Sequence, residues 1–186
     1  MRIRPKTYFS ICVVLFMLLA SHKTLSQVDV NVMKAVAFEQ ISRFIQWPDQ
    51  DMTSKNSGRF IIGVLGHNTV VEHIEELYAK QKIKDKAVEL RHISNLDDVI
   101  GCHLLYIAGT KRDELSKVMA ITRKRPILSI SDSSGFIEKG VLVNLYVSMN
   151  KLRFEINEQG FLEAGLTIDP LLLKVARIVN PPGGDR

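Results

Sequence analysis

The sequence predicts an α/β fold: a single domain on a mixed six-stranded sheet, with four mostly parallel strands, a C-terminal antiparallel hairpin and flanking helices. In the middle of the chain, short apolar runs alternate with helical patterns, which is typical of parallel strands joined by crossover helices. Two later runs are separated only by residues 148–151. That connection is too short for a crossover and predicts a hairpin. The composition, 46% hydrophobic and 24% charged, is ordinary for a globular protein and excludes a disordered or collagen-like chain.

The elements of the first half follow from periodicity and from stop signals. Apolar residues recur near every 3.6 positions from Val32 onward, and Pro48 ends the helix that they predict. Thr69 and Glu72 form a capping box at the start of the next helix. In chain order, the patterns predict a helix over 30–47, an apolar buried strand over 60–65, a helix over 69–80, a polar turn over 81–86 and a strand over 87–93.

The second half continues this alternation and then departs from it. Gly165 ends one short helix, and Pro170 stands at the favoured first position of the last one. The patterns predict one helical turn over 96–100, a strand over 103–108, a helix over 111–122, a strand over 126–130, the hairpin strands over 141–147 and 152–156, and helices over 159–164 and 170–179.

Residues 1–26 are predicted to be a secretory signal peptide, which leaves residues 27–186 as one domain. Arg2, Arg4 and Lys6 precede an apolar segment over 8–20, and Ser26 offers a small side chain before the cleavage point. A membrane span needs about 20 apolar residues, so this segment is short for an anchor. The alternative is an uncleaved N-terminal anchor. A signal peptide predicts export, and we expect the protein in the periplasm.

The net charge supports export more than nucleic-acid binding. The whole chain carries a formal charge of +5. Without the four basic residues of the predicted signal peptide, 21 Lys and Arg face 20 Asp and Glu, a net of +1. The basic excess therefore belongs to the export signal, and no nucleic-acid partner is expected.

No catalytic motif stands out, so we expect a protein that is not an enzyme and needs no cofactor. The sequence lacks G-x-G-x-x-G, the P-loop and G-x-S-x-G. The serine-rich run over 129–135 reads as a strand end and turn rather than as a nucleophile. The histidines lack the spacing of a helical zinc site, and no metal is expected. Cys102 is expected to be a free thiol, either packed and inert or paired between chains.

Binding residues are predicted on the hairpin and at the fourth strand. From Leu152 to Asn157 apolar and polar residues alternate, so Arg153 and Glu155 share one face of the strand, and Asn144 on the preceding strand should lie across from it. The row is either a half-exposed strand or a recognition surface. Arg125 and Asp132 are predicted to join it at the exit of the fourth strand. A different reading, a small-molecule binding module, would use residues 66–68 with 132–133.

Taken together, the motifs resemble the YfiR-like family of periplasmic regulatory proteins over nearly all of residues 32–179. The strand C-H-L-L-Y-I at 102–107 and the segment R-F-E-I-N at 153–157 are similar to family patterns. The other matching pieces are Lys34-Ala35, Phe38, Phe44, Trp47-Pro48, Phe60 to Gly66, Arg125 to Leu128, Ser131-Asp132, Gly135-Phe136, Gly140, Asn144, Ala164-Gly165-Leu166, Leu172 and Ala176.

The resemblance implies a non-enzymatic regulator with an α/β fold. The protein that gives the family its name binds the periplasmic part of a membrane-bound diguanylate cyclase and holds it inactive, which lowers cyclic-di-GMP output and biofilm growth, and the resemblance implies a similar partner here. The resemblance also implies an outer-membrane lipoprotein as a second partner and a homodimer; relatives could instead serve a sensor kinase. Family members often carry paired cysteines, whereas this chain keeps only Cys102 after cleavage, so it departs from redox control by an internal disulfide.

Overall fold

A computed structural model describes residues 29–48 and 58–180, which form a single mixed α/β domain. The predicted signal peptide lies outside the described residues. The helices are α1 (Val30–Arg43), α2 (Thr69–Tyr78), α3 (Leu115–Thr122), α4 (Glu158–Ala164) and α5 (Pro170–Leu173), with 3-10 helices at Leu96–Val99, Gly109–Lys111 and Ile137–Lys139. Within these two ranges no helix combines the length and the apolar character that a membrane crossing requires.

The strands of the described residues form one large and one small sheet. They are β1 (Ile45–Gln46), β2 (Phe60–Leu65), β3 (Lys82–Ile83), β4 (Lys86–His92), β5 (Leu104–Ile107), β6 (Leu128–Ser131), β7 (Val143–Ser148), β8 (Lys151–Ile156), β9 (Thr167–Ile168) and β10 (Arg177–Ile178). The large sheet has the order β10-β8-β7-β6-β5-β2-β4-β3, and β1 pairs with β9. Strands β4, β2, β5, β6 and β7 are parallel, while β8 runs antiparallel to β7.

The predicted fold class and the hairpin are confirmed, but the large sheet has eight strands and not six. The two additional strands, β3 and β10, have two residues each, too few for any alternation to register in the sequence. β3 lies inside the predicted polar turn and pairs with β4 through a tight turn at Lys84 and Asp85, which both have positive φ. Neither residue is a glycine, so the usual hairpin signal is missing.

The predicted final helix over 170–179 is wrong beyond its first turn. α5 ends at Leu173, and β10 then pairs in parallel with Glu155 and Ile156 of β8. The apolar spacing in this segment fits a helix, but the free edge of β8 offers backbone partners that a helix would leave unpaired, and the sheet prevails.

Other boundaries differ by a few residues. α1 ends at Arg43 and not at residue 47, because Ile45 and Gln46 pair with β9. The predicted helix over 111–122 is a 3-10 turn followed by α3. The hairpin turn itself is formed by Met149 and Asn150, both with positive φ, as a type I′ turn requires.

Two apolar layers pack against the two faces of the sheet. The larger layer contains Phe38 of α1, Val71 of α2 and Tyr106 of β5, and the smaller one contains Leu105 of β5 with Val118 of α3. Neighbouring residues of β5 thus face opposite layers, as expected for a central strand buried on both faces. The strand order reverses between β2 and β5, because β4 is added on one side of β2 and β5 on the other. Ligands of α/β sheets most often bind at such a reversal.

Candidate functional site

A row of polar side chains crosses the sheet at the hairpin. Ser131, Asn144, Glu155 and Arg177 pair in register across β6, β7, β8 and β10, which places them on one face of the sheet. The first three are buried, with Asn144 4% and Glu155 5% exposed. The prediction that Asn144 lies across from the polar row of the next strand is confirmed, and its partner in that row is Glu155.

The centre of this row is a buried carboxylate. Glu155 accepts a hydrogen bond of 3.1 Å from Asn144 Nδ2 and forms an ion pair with the guanidinium of Arg177. A carboxylate in such a place is costly unless it is paired and hydrogen-bonded, and these two neighbours supply both. Asn144 Oδ1 is buried without a hydrogen-bond partner among the described residues. The polar row is therefore partly satisfied internally and is not itself a solvated surface.

Exposed cations surround the buried carboxylate. Arg153 lies opposite Tyr146, and the guanidinium of Arg177 sits 5.6 Å from the centre of the Tyr146 ring. Arg153 and Lys151 are exposed and have no ion-pair partner in the part of the chain that the structure describes. We define the hairpin face as Asn144, Tyr146, Lys151, Arg153, Glu155 and Arg177. It carries three cationic side chains against one acidic one, and its net charge is positive.

The sequence predicts three of the six residues of the hairpin face. Asn144, Arg153 and Glu155 were accessible from the alternation along β8. Tyr146 follows Asn144 by two positions in the same strand, so the same alternation could have identified it. Arg177 was not accessible in this way, because its segment is predicted as a helix and only the pairing of β10 with β8 brings it to Glu155.

Asp132 lies elsewhere, in a network at the carboxyl ends of the parallel strands. Its Oδ2 is 2.7 Å from Lys34 Nζ of α1, and its Oδ1 accepts a 2.8 Å hydrogen bond from the Tyr106 hydroxyl. That hydroxyl accepts in turn from Asn68 Nδ2 at 2.8 Å. Burial, and then the Asp132 carboxylate, raise the pKa of Tyr106, which stays a neutral donor.

This network occupies the place where a ligand would bind an α/β sheet. Asp132 is turned inward, with only 12% of its side chain exposed, and Asn68 caps α2 by accepting from the Val71 amide. Arg125 does not join it. The prediction that Arg125 lies at the exit of the strand is wrong: it precedes β6, at the opposite end from Asp132, and donates to the carbonyl of Ile121.

Cys102 is a packed thiol. It is 4% exposed, and its Sγ lies 3.6 Å from the Asp98 carbonyl oxygen. Burial raises its pKa to about 11, so the thiol is neutral at physiological pH. Within residues 29–48 and 58–180, no three His, Cys, Asp or Glu side chains come together as metal ligands would.

Fold and site together define a class of protein: a single α/β domain with a cationic hairpin surface. The chain belongs to the YfiR/HmsC-like family, whose model matches residues 31–177. That family is known for periplasmic regulation and is regulatory rather than catalytic. No curated protein matches the chain.

Two solved structures are similar in fold. A conserved domain protein from Vibrio cholerae aligns with a TM-score of 0.56 and 12% identity, over 80% of this chain and 60% of that one. The ABC domain in complex with L-Trp from Streptococcus pneumoniae aligns with a TM-score of 0.51 and 14% identity, over 76% of this chain and 61% of that one. The chain thus spans about 60% of each structure, and the likeness concerns the fold alone.

Proposed function

We propose that this protein is an exported, periplasmic regulator whose hairpin face binds an acidic surface on the periplasmic part of a membrane signalling protein. A diguanylate cyclase held inactive in this way is the partner that the family suggests, with effects on cyclic-di-GMP and biofilm growth. A homodimer and an outer-membrane lipoprotein as a second partner belong to the same proposal. The observation that carries it is the positive charge of the hairpin face.

The composition of this face suits protein recognition. Tyrosine and arginine dominate the energetics of protein interfaces, and Tyr146 lies here beside Arg153 and Arg177. Arg177 is already committed to Glu155, which holds its guanidinium over the Tyr146 ring. Arg153 has no such partner among the described residues and is available to a carboxylate of another protein. The hairpin tip adds exposed apolar area through Val147 and Met149, which are 46% and 92% exposed.

Charge reversal at Arg153 tests the proposal. Cells lacking the protein would receive the tagged full-length chain as wild type, Arg153→Glu or Lys82→Glu. After cross-linking, the amount of signalling protein retained and the level of cyclic-di-GMP would be measured. We expect Arg153→Glu to retain about tenfold less of the partner, since like charges then oppose each other, and to lose control of cyclic-di-GMP.

Lys82→Glu is the matched control, because it makes the same charge change on β3, at the far edge of the sheet. It should behave as the wild type. Arg153 is exposed, so its replacement should leave the melting temperature within about one degree of the wild type. If Arg153→Glu and wild type retain the same partner equally, the hairpin face is not the binding surface. If the wild type retains no membrane signalling protein, the regulatory role itself is wrong.

A small-molecule sensor that acts on a sensor kinase is the second candidate. The inward-turned network at Asp132 speaks against the carboxyl edge as its binding site. A cleft between α3 and α4, on another part of the domain, favours this function.

A further inference from the structure

A cleft of about 420 Å³ opens at the other end of the sheet, where β6 and β7 begin. Its walls are α3, the 3-10 helix Ile137–Lys139 and one side of α4. Its volume lies within the range of about 300–1,000 Å³ that is usual for small-molecule sites. It includes neither the hairpin face nor the network at Asp132, so ligand binding there does not depend on the proposed partner-binding surface.

The floor of the cleft is apolar and buried. Met119, Ile127, Leu142 and Ala164 line it, and each is at most 8% exposed. Gly160 also lines the cleft, and a side chain there would come within 2.7 Å of Leu142 Cδ2. The backbone of α4 therefore approaches the floor closely. This geometry suits the apolar body of a ligand rather than a fully hydrated ion.

Two buried polar side chains in the wall each accept one hydrogen bond from the backbone and still carry hydrogens to donate. Ser129 Oγ accepts a 3.0 Å hydrogen bond from the Leu142 amide, and Asn157 Oδ1 accepts one of 2.9 Å from the Gly160 amide. The donors that these side chains offer are the Ser129 hydroxyl hydrogen and the Asn157 amide NH₂. A ligand with acceptor oxygens would complement both.

Among the described residues, the mouth of the cleft carries one cation without an ion-pair partner, Lys139. Arg123 is held by Glu163 at 2.6 Å, and this hydrogen bond lowers the pKa of Glu163. Lys139 and Glu138 also line the mouth, are exposed, and have no ion-pair partner among the described residues. An acceptor-rich ligand with one negative charge would be attracted by Lys139 and repelled by Glu138.

We propose that this cleft binds a small monocarboxylate with an apolar body, of the aryl-alkanoic or branched aliphatic type. Its carboxylate lies between Lys139, Ser129 and Asn157, and its apolar body covers Met119 and Leu142. The binding is reversible and involves no covalent step.

Titration calorimetry of the purified protein with four probes tests this. Phenylacetate, 3-phenylpropionate and isovalerate carry the charge and an apolar body, and 3-phenylpropanamide lacks the charge. We expect at least one acid to bind saturably below about 10 mM, and 3-phenylpropionate to bind about tenfold more tightly than its amide. If no acid saturates, or if acid and amide bind equally, the proposal is wrong.

Substitutions at the mouth of the cleft should change the affinity for the acid in opposite directions. Lys139→Gln should weaken the binding of the acid about tenfold and leave that of the amide unchanged. Glu138→Gln should strengthen the binding of the acid about twofold. Lys117→Gln, on α3 outside the cleft, is the matched control and should change nothing. If Lys139→Gln binds the acid like the wild type, the assigned carboxylate position is wrong.

Blocking the cleft tests the place without relying on charge. Ala120 is exposed on α3 and lines the cleft, so Ala120→Trp should fold and fill the mouth. It should abolish binding of acid and amide alike, with an unchanged melting temperature in the absence of ligand. Undiminished binding in this folded variant would place the ligand elsewhere and overturn the proposal.

Discussion

Removing one charge of the Lys34–Asp132 pair should destabilise the domain almost as much as removing both. Lys34 Nζ and Asp132 Oδ2 are 2.7 Å apart, and their side chains are only 14% and 12% exposed. The pair joins α1 to the end of β6, and Asp132 Oδ1 also accepts from the Tyr106 hydroxyl. Either group alone would leave a charge poorly solvated, which is the main cost of breaking a buried pair.

The magnitudes follow from this geometry. Lys34→Met leaves Asp132 with one neutral donor, and Asp132→Asn keeps an acceptor for Tyr106 but leaves the ammonium without a counter-charge. Because some solvent reaches both side chains, we expect each single change to cost about 2–3 kcal/mol, below the upper end for buried pairs. The double variant should cost about 3 kcal/mol. The coupling free energy is then about 2 kcal/mol.

Urea unfolding of the four proteins measures this coupling, provided that the m-values agree. The exposed pair Lys111–Glu114, with side chains 34% and 40% exposed, is the matched control in a second cycle. Its coupling should stay within about 0.5 kcal/mol. Additive single effects at Lys34 and Asp132, with coupling under about 0.5 kcal/mol, would refute the view that the pair acts as a buried unit.

Three further predictions concern the buried thiol and its contacts. Because burial raises its pKa to about 11, Cys102 should react with iodoacetamide at pH 8 only in urea, and labelling of the folded protein at the rate of a free cysteine would contradict this. Because the usual pKa is 9.0, the unfolded chain loses this proton at a lower pH than the folded one. The free energy of unfolding should therefore fall between pH 9 and 11, and the fall should be smaller in Cys102→Ala. Gly63→Ala places a Cβ 2.9 Å from Cys102 Sγ and 3.0 Å from Leu105 Cδ1, and should cost about 1–3 kcal/mol in urea unfolding. Adding Cys102→Ala removes the closer contact, so the double variant should lose less than the sum of the two single losses; additive losses would contradict the steric account.

How far the sequence predicts this fold depends on how local each signal is. β2 and the β7–β8 hairpin are recognisable because a run of apolar residues or a short connection lies within a few positions. β3 and β10 are not recognisable, since two residues form a strand only where a neighbouring edge is free to pair with them. For β10 the competing helical pattern is genuine, and only the position of β8 decides against it.

For the candidate site, too, predictability depends on how local each signal is. Glu155 and Asn144 are predictable as neighbours because the hairpin register is local. The contact of Lys34 with Asp132 spans 98 positions, and nothing near either residue indicates it. The sequence predicts Asp132 as a binding residue from its place at a strand end, whereas the tertiary structure gives it Lys34 as a partner within the chain.

The two proposed surfaces are built on one hairpin, and this limits how they can influence each other. The β7–β8 ladder carries the hairpin face. At its base, the backbone N–H of Asn157 donates to the Leu142 carbonyl at 3.0 Å, and both residues line the cleft. A carboxylate in the cleft would alter partner binding only by favouring one arrangement of this ladder over another. Such an effect must be reciprocal. If the bound acid lowers the affinity for the partner, the bound partner must lower the affinity for the acid by the same factor. Acid affinity measured with and without partner therefore decides whether the domain is a sensor or a regulator with an independent ligand site.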